Sequence, residues 1–190
     1  MDVDQMRRLR RLLEIADDDE DDEPDISAGA RKKRLHDMNS RLTPLIRAIG
    51  PVRTITMYRD VDDGYFVHFI YDSPGPCGDQ PMMDEFSIEF NSYDDGRIYV
   101  VPRFQRAEPM QLDDLPSNEA LAQWLELATG MTWDRAGLEF TDWNSYDNPW
   151  YTCRGSQPEG RYMAIVDLLT QPEAQQLFTW SNDRTVVFNR

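Results

Sequence analysis

Seven residues constrain this chain more than any others: Tyr65–Tyr71, which read YFVHFIY. Apolar side chains stand at both odd and even positions, so the segment has no wet face of its own. It is far shorter than the roughly 20 residues of a membrane-crossing helix. It is also rich in aromatic and β-branched residues. The pattern predicts a central strand covered on both faces. Asp62-Asp63-Gly64 precedes it, and an Asp-Gly step between apolar runs predicts a hairpin turn. The partner strand is Val52–Tyr58 (VRTITMY). Breakers crowd Ser73–Gln80 (SPGPCGDQ), which predicts a loop.

A second hairpin follows. Phe86, Ile88 and Phe90 alternate with Glu85, Ser87 and Glu89, a strand with an acidic outer face. Asp94-Asp95-Gly96 turns the chain into Arg97–Phe104 (RIYVVPRF), where Pro102 removes an amide donor and predicts an edge near the strand's end. Helices flank these strands. Met38, Leu42, Leu45 and Ile49 make one stripe along Arg34–Ile49, ended by Gly50-Pro51. Ser117 caps a second helix with Leu121, Trp124, Leu125 and Ala128 on its apolar face and Gly130 at its close. A third helix spans Gly160–Leu169, Pro172 starts a further helical turn through Phe178, and Thr185–Phe188 (TVVF) is a closing strand. Short strands are expected near Gly137–Thr141 and Trp150–Arg154. Hairpins without βαβ alternation predict the α+β class: an antiparallel sheet of four to six strands, with helices mainly on one face.

Charge divides the chain. The net charge is −15, and the eye goes to Asp17–Asp25 (DDDEDDEPD). Yet residues 1–35 hold 11 acids and 8 bases, whereas residues 36–190 hold 24 acids and 12 bases and sum to −12. All 21 aromatics lie in the second part, from Tyr58 onward. The expected organisation is a flexible charged arm over 1–33 and a single domain over 34–190. Within the arm, residues 3–15 (VDQMRRLRRLLEI) are a short basic amphipathic segment, and the acidic run repels itself. The domain has no lysine, because Lys32 and Lys33 are the only two. Direct nucleic-acid binding and an anionic membrane are therefore disfavoured, and a basic protein partner is favoured. The absence of an apolar leader pattern at the N-terminus predicts a cytoplasmic protein in which Cys77 and Cys153 are free thiols rather than a disulfide.

Motifs for chemistry are sparse. The histidines are His36 and His68, and no C-x-x-C, H-E-x-x-H or H-x-E pattern occurs, so neither a metal nor any other cofactor is expected. His68 should lie on the Phe66/Ile70 face as a buried, hydrogen-bonded histidine. Asp60, Asp62, Asp63 and Gly64 resemble part of a calcium loop, but position 71 is Tyr where the terminal Glu should stand. Glu85 and Glu89 are about 13 Å apart along a strand, too wide for a glycosidase pair. A nucleophile elbow, a P-loop and a dinucleotide fingerprint are all missing. No catalytic residue is expected.

The most suggestive stretch is Phe140–Arg154 (FTDWNSYDNPWYTCR). Tryptophan and tyrosine among Asp and Asn is the composition of an interaction surface, because such side chains bring area and a polar handle together. The candidate contact residues are Asp142, Trp143, Tyr146, Asp147, Trp150 and Tyr151, joined by Glu85 and Glu89. The structural alternative is that Trp143 and Trp150 anchor an irregular loop to the core.

The helix-then-hairpin run LTPLIRAIGPVRTITMYRDVDDGYFVHFIYD, Leu42–Asp72, is similar to small acidic α+β bacterial immunity proteins. The likeness brings over no motif residue. It implies an immunity protein or antitoxin that neutralises a basic toxin, gaining on-rate and specificity from complementary charge. Three other readings stand beside it. The order of elements resembles the small acidic chaperones of type III secretion, although these are usually shorter and lack the charged arm and the tryptophan-rich stretch. A nucleic-acid mimic inhibiting a nuclease would need acids at phosphate-like spacing, whereas these are scattered. An enzyme of unrecognised type would show a deep pocket with a desolvated carboxylate or histidine.

Overall fold

A computed structural model describes residues 27–190, apart from 61, 63, 74, 76–82, 95, 106–109, 145 and 179–183. The amphipathic segment 3–15, the acidic run Asp17–Asp25 and Cys77 lie outside the described residues. Arg34–Arg190 forms one of two compact units into which the chain divides.

Helix α1 spans Ala28–Ala48 and begins six residues before its apolar stripe predicted. Met38 and Leu42 are buried, as is Ile49 just beyond its end. The strands β1 (Thr54–Arg59), β2 (Tyr65–Asp72), β3 (Met83–Asn91) and β4 (Arg97–Phe104) form the two expected hairpins. Asp60 N–H donates to Gly64 C=O at 2.9 Å and closes the first. Helix α2 spans Asn118–Thr129, and β5 (Leu138–Trp143) and β6 (Pro149–Cys153) make a third hairpin. Helix α3 (Gln157–Leu169), the short α4 (Pro172–Gln175) and β7 (Arg184–Asn189) complete the chain.

Seven antiparallel strands lie in the order β5-β6-β4-β3-β2-β1-β7. The sheet exceeds the expected four to six because both strands of the tryptophan-rich stretch form and join it. β4 is an interior strand, but β6 pairs with it only at Tyr99 and Val100. Pro102 thus sits where the outer side of β4 has already lost its neighbour, which a residue without an N–H tolerates.

The helices pack on one face of this sheet. Ile55, Met57, Val67, Phe69, Tyr71, Phe86, Ile88 and Val100 share a core with Leu42, Trp124, Leu125, Ile165, Val166 and Leu169. Local signals fix where the helices stop and start. Ser117 Oγ accepts from Ala120 N–H at 3.2 Å, and Gly130 closes α2 in the left-handed region at φ 69°. Ser156 Oγ accepts from Glu159 N–H at 3.3 Å at the head of α3. Gly50 is required twice over: its φ is 85°, and a Cβ there would collide with the Thr129 carbonyl.

A buried hydroxyl chain ties helix to sheet. Tyr71 Oη donates to the Ile49 carbonyl at 2.8 Å and lies 2.8 Å from Tyr162 Oη, whose proton it must accept. The Tyr71 ring stacks on Phe86 at 4.7 Å, and Tyr162 meets Phe69 edge-on at 5.0 Å. Burial pushes both tyrosine hydroxyls up from their ordinary range. Removing Tyr71 Oη strands two groups, whereas removing Tyr162 Oη leaves the bond to Ile49 standing. Tyr71→Phe is therefore expected to cost about 1–3 kcal/mol and Tyr162→Phe less. Denaturant titration of the two variants checks the order; equal losses would refute it.

Candidate functional site

The sheet face opposite the helices is the place to look, because its side chains are not consumed by the core. Strand alternation places Tyr58 of β1, Phe66, His68 and Ile70 of β2, Glu85, Ser87 and Glu89 of β3, and Tyr99, Val101 and Arg103 of β4 on it. The expectation that Tyr65–Tyr71 is covered on both sides is corrected here. Val67, Phe69 and Tyr71 are fully buried, but Phe66, His68 and Ile70 are only half-buried. The aromatic character of that second face belongs to a surface rather than to a second core.

A groove of about 300 Å³ lies on this face. His68, Glu85, Ser87, Glu89, Tyr146 and Trp150 are among its walls. Adjoining hollows of about 310 Å³, reached past His68, and about 440 Å³, reached past Tyr146 and Asn148, extend it at either end.

The β5–β6 hairpin supplies the outer rim. Asn144 Oδ1 accepts from both Tyr146 N–H and Asn148 N–H at 2.9 Å, while Asp147 N–H donates to Asn144 C=O at 3.0 Å. Asp147 takes a φ of 56°, a conformation Asp tolerates better than most residues. The tip therefore holds itself in shape with its own polar groups, leaving the Tyr146 ring 81% exposed. Trp150 packs against Tyr99 with centroids 5.1 Å apart. Its indole N–H is buried without a hydrogen-bond partner among the described residues, an unmet donor at the groove wall.

The two glutamates expected to make an acidic ladder are electrically different. Glu85 is held by Arg53 at 2.7 Å and by Arg103 at 3.2 Å, and Arg53 also reaches Asp72 at 3.0 Å. Glu89, in cross-strand register with His68 on one side and Tyr99 on the other, accepts from Ser87 Oγ at 2.6 Å. Among the described residues it has no lysine or arginine partner. The negative charge of the groove is thus concentrated on one carboxylate.

His68 sits on the Phe66/Ile70 face, as its position in the strand requires. Its ring meets Tyr58 at 4.9 Å, and it has no hydrogen bond among the described residues in place of the expected satisfied one. Burial lowers its pKa; the Glu89 charge pulls it back up, and Arg184, which lies over the Tyr58 ring at 5.1 Å, pushes it down.

Of the sequence-derived contact residues, Glu85, Glu89, Tyr146 and Trp150 converge on the groove. Asp142 and Asp147 are exposed on the hairpin but do not line it. Trp143 and Tyr151 turn the other way. Tyr151 is 1% exposed and in contact with Phe140, and Trp143 stacks edge-on against Phe140 at 5.4 Å beside the core. The cause is a register shift between Phe140 and Asp142, which puts Trp143 on the Phe140 side of the hairpin. Tyr151 is interior and offers no contact surface. His68, which the sequence suggested only as a satisfied buried histidine, and Tyr99, Arg103, Asn144 and Asn148 were not among the contact residues expected from sequence. Their cross-strand neighbours come from distant segments, and no local pattern reveals that.

Other chemistry is thin. Cys153 is a free, buried thiol within 3.1 Å of Ser156 Oγ, and burial pushes it up to about 11, away from the thiolate a nucleophile needs. Among the described residues no three His, Cys, Asp or Glu side chains are grouped to hold a metal, and no helix is long and apolar enough to cross a membrane. Comparison of the chain with protein families, curated proteins and solved structures gives no match.

A depressed histidine pKa has a defined sign. The unfolded chain binds a proton near pH 6.5 that folded His68 refuses. The stability this contributes is present above pH ~6.5 and is lost as pH falls toward the folded pKa. The wild type is expected to lose more stability between pH 7 and pH 5 than His68→Gln does, with an NMR-titrated His68 pKa below about 6.5. A His68 pKa above that value would contradict the burial argument.

Proposed function

We propose that this domain is an acidic protein-binding module that docks a basic partner on the open sheet face, as an immunity protein or antitoxin does when it neutralises a toxin. The observation carrying this reading is the groove itself. Glu89, a half-buried carboxylate with no lysine or arginine partner among the described residues, lines a groove that Tyr146 and Trp150 also line. A guanidinium or ammonium entering there meets a charge in a partly desolvated setting and π-faces beside it, a combination worth more than either alone. The −12 charge over residues 36–190 adds long-range attraction, and exposed Asp142 and Asp147 extend it along the rim.

Electrostatic docking of this kind is salt-sensitive in its association rate. Affinity capture with the tagged chain, identification by mass spectrometry and stopped-flow mixing with the purified partner make the test. Association is expected to slow by about tenfold or more from low to physiological salt. Asp142→Asn with Asp147→Asn should slow association while leaving the melting temperature nearly unchanged, because Asn tolerates the left-handed backbone at 147 as Asp does. Glu89→Lys should chiefly speed dissociation, because it strikes the docked contact. An association rate indifferent to ionic strength would sink the proposal.

A further inference from the structure

Strand β7 ends the sheet: it pairs with β1 on one side and is the last in strand order on the other. Among the described residues no strand pairs with its outward row of backbone donors and acceptors. Arg184–Asn189 (RTVVFN) has neither proline nor lysine and Val186 is 53% exposed, while a register shift against β1 places a bulge at Val187 and limits the regular part of the edge. Alongside it, between α1 and β7, lies a groove of about 420 Å³ whose walls include Leu42, Ile46, Val187 and Phe188.

Arg47 and Arg190 also line this groove. Several other guanidinium groups of the domain are occupied, although Arg34 and Arg154, like these two, have no side-chain partner among the described residues. Arg53, Arg103 and Arg135 bind carboxylates, Arg41 binds Gln171, Arg161 binds the Ala48 carbonyl and Arg184 covers Tyr58. The side chains of Arg47 and Arg190 have no ion pair or hydrogen bond among the described residues, in a chain where 35 acids outnumber 20 bases. Two guanidiniums left over beside an apolar groove, in a protein with carboxylates to spare, suit a carboxylate that comes from outside.

We propose that this groove binds an extended segment of a partner protein that adds to β7 as an eighth strand. The segment places apolar side chains at alternate positions against Leu42, Ile46 and Phe188, and an Asp or Glu side chain between Arg47 and Arg190. Main-chain hydrogen bonds to the edge supply affinity, and the alternate pockets and the arginine pair supply selection. The site is distinct from the open-face groove and asks for the opposite charge.

Random peptides displayed on phage, selected on the intact protein and counter-selected on the Arg47→Glu/Arg190→Glu variant, provide the probe. The enriched peptides are then synthesised and titrated by fluorescence anisotropy. The expected winners alternate apolar residues and carry Asp or Glu, and the double variant weakens them by about tenfold or more. Backbone N-methylation of one alternate set of peptide amides should abolish binding, and methylation of the other set should be tolerated. Should the charge reversal lower the melting temperature, Arg47→Gln with Arg190→Gln carries the same comparison. The proposal is overturned if the enriched peptides lack an acid, if both methylated sets bind, or if binding ignores the arginines. It is equally overturned if the unliganded protein sediments as a dimer that the double variant dissolves, since a second copy would then fill the groove.

Discussion

The Tyr71 hydroxyl is the point at which sheet and helices become one body. It donates to the carbonyl of Ile49, just past the end of α1, and lies against the hydroxyl of Tyr162 in the middle of α3. Three segments far apart in sequence therefore share a buried polar chain in which each member depends on the next. Apolar packing would hold helices near the sheet at many similar settings, whereas a directional bond at 2.8 Å selects one. Around it, Phe69, Phe86 and Trp133 pack against the two rings. The turn at Gly50, pressed on the Thr129 carbonyl, fixes the place where the Ile49 acceptor must be.

With the helices on one face, the other is only partly covered: Thr56, Tyr99, Val101 and Thr152 are buried there, whereas Phe66, His68, Ile70 and Glu89 are half-buried. An antiparallel sheet can do this, but the exposed face must then be made of side chains that accept water or a partner. Here it is neither uniformly charged nor uniformly apolar. Aromatic side chains (Tyr58, Phe66, Tyr99, Trp150) alternate with Glu85, Ser87, Glu89 and Arg103, and the β5–β6 hairpin stands over one end as a rim. Asn144 makes that rim stiff by satisfying the amides of Tyr146 and Asn148 from a single side chain, so the exposed Tyr146 ring is presented rather than merely left out.

What could be read from sequence was local. Period-two alternation gave the hairpins, Ser117 and Gly130 bounded α2, and the stripe Met38–Leu42–Ile49 found the buried side of α1. What could not be read depended on pairing between distant segments. A strand with apolar residues on both faces, such as Tyr65–Tyr71, does not say which face is left half-covered; that is decided by where the helices dock. Within Phe140–Arg154 one irregularity between Phe140 and Asp142 decides which rings point inward. Trp143 joins the core and Trp150 the groove, although composition gives them equal standing. The recruitment of Arg53 from before β1 and Arg103 from β4 onto Glu85 is likewise a fact of register.

That last point alters how a net charge should be used. A body at −12 suggests a broad acidic surface, yet several of its arginines are spent on particular carboxylates: Arg53 and Arg103 on Glu85, Arg135 on both Glu119 and Glu126. Glu85 is thereby neutralised within its own ion-pair cluster, whereas Glu89 in the same groove is half-buried and has no lysine or arginine partner among the described residues. The Ser87 hydroxyl donates to Glu89 Oε1 at 2.6 Å. A carboxylate in that condition interacts more strongly with an arriving cation than a fully hydrated one does, because less water must be displaced and the local dielectric is lower. Long-range charge can bring a basic partner to the sheet from any direction. Which residue it holds once there is set by this division between paired and unpaired acids, and that division follows from strand register rather than from composition.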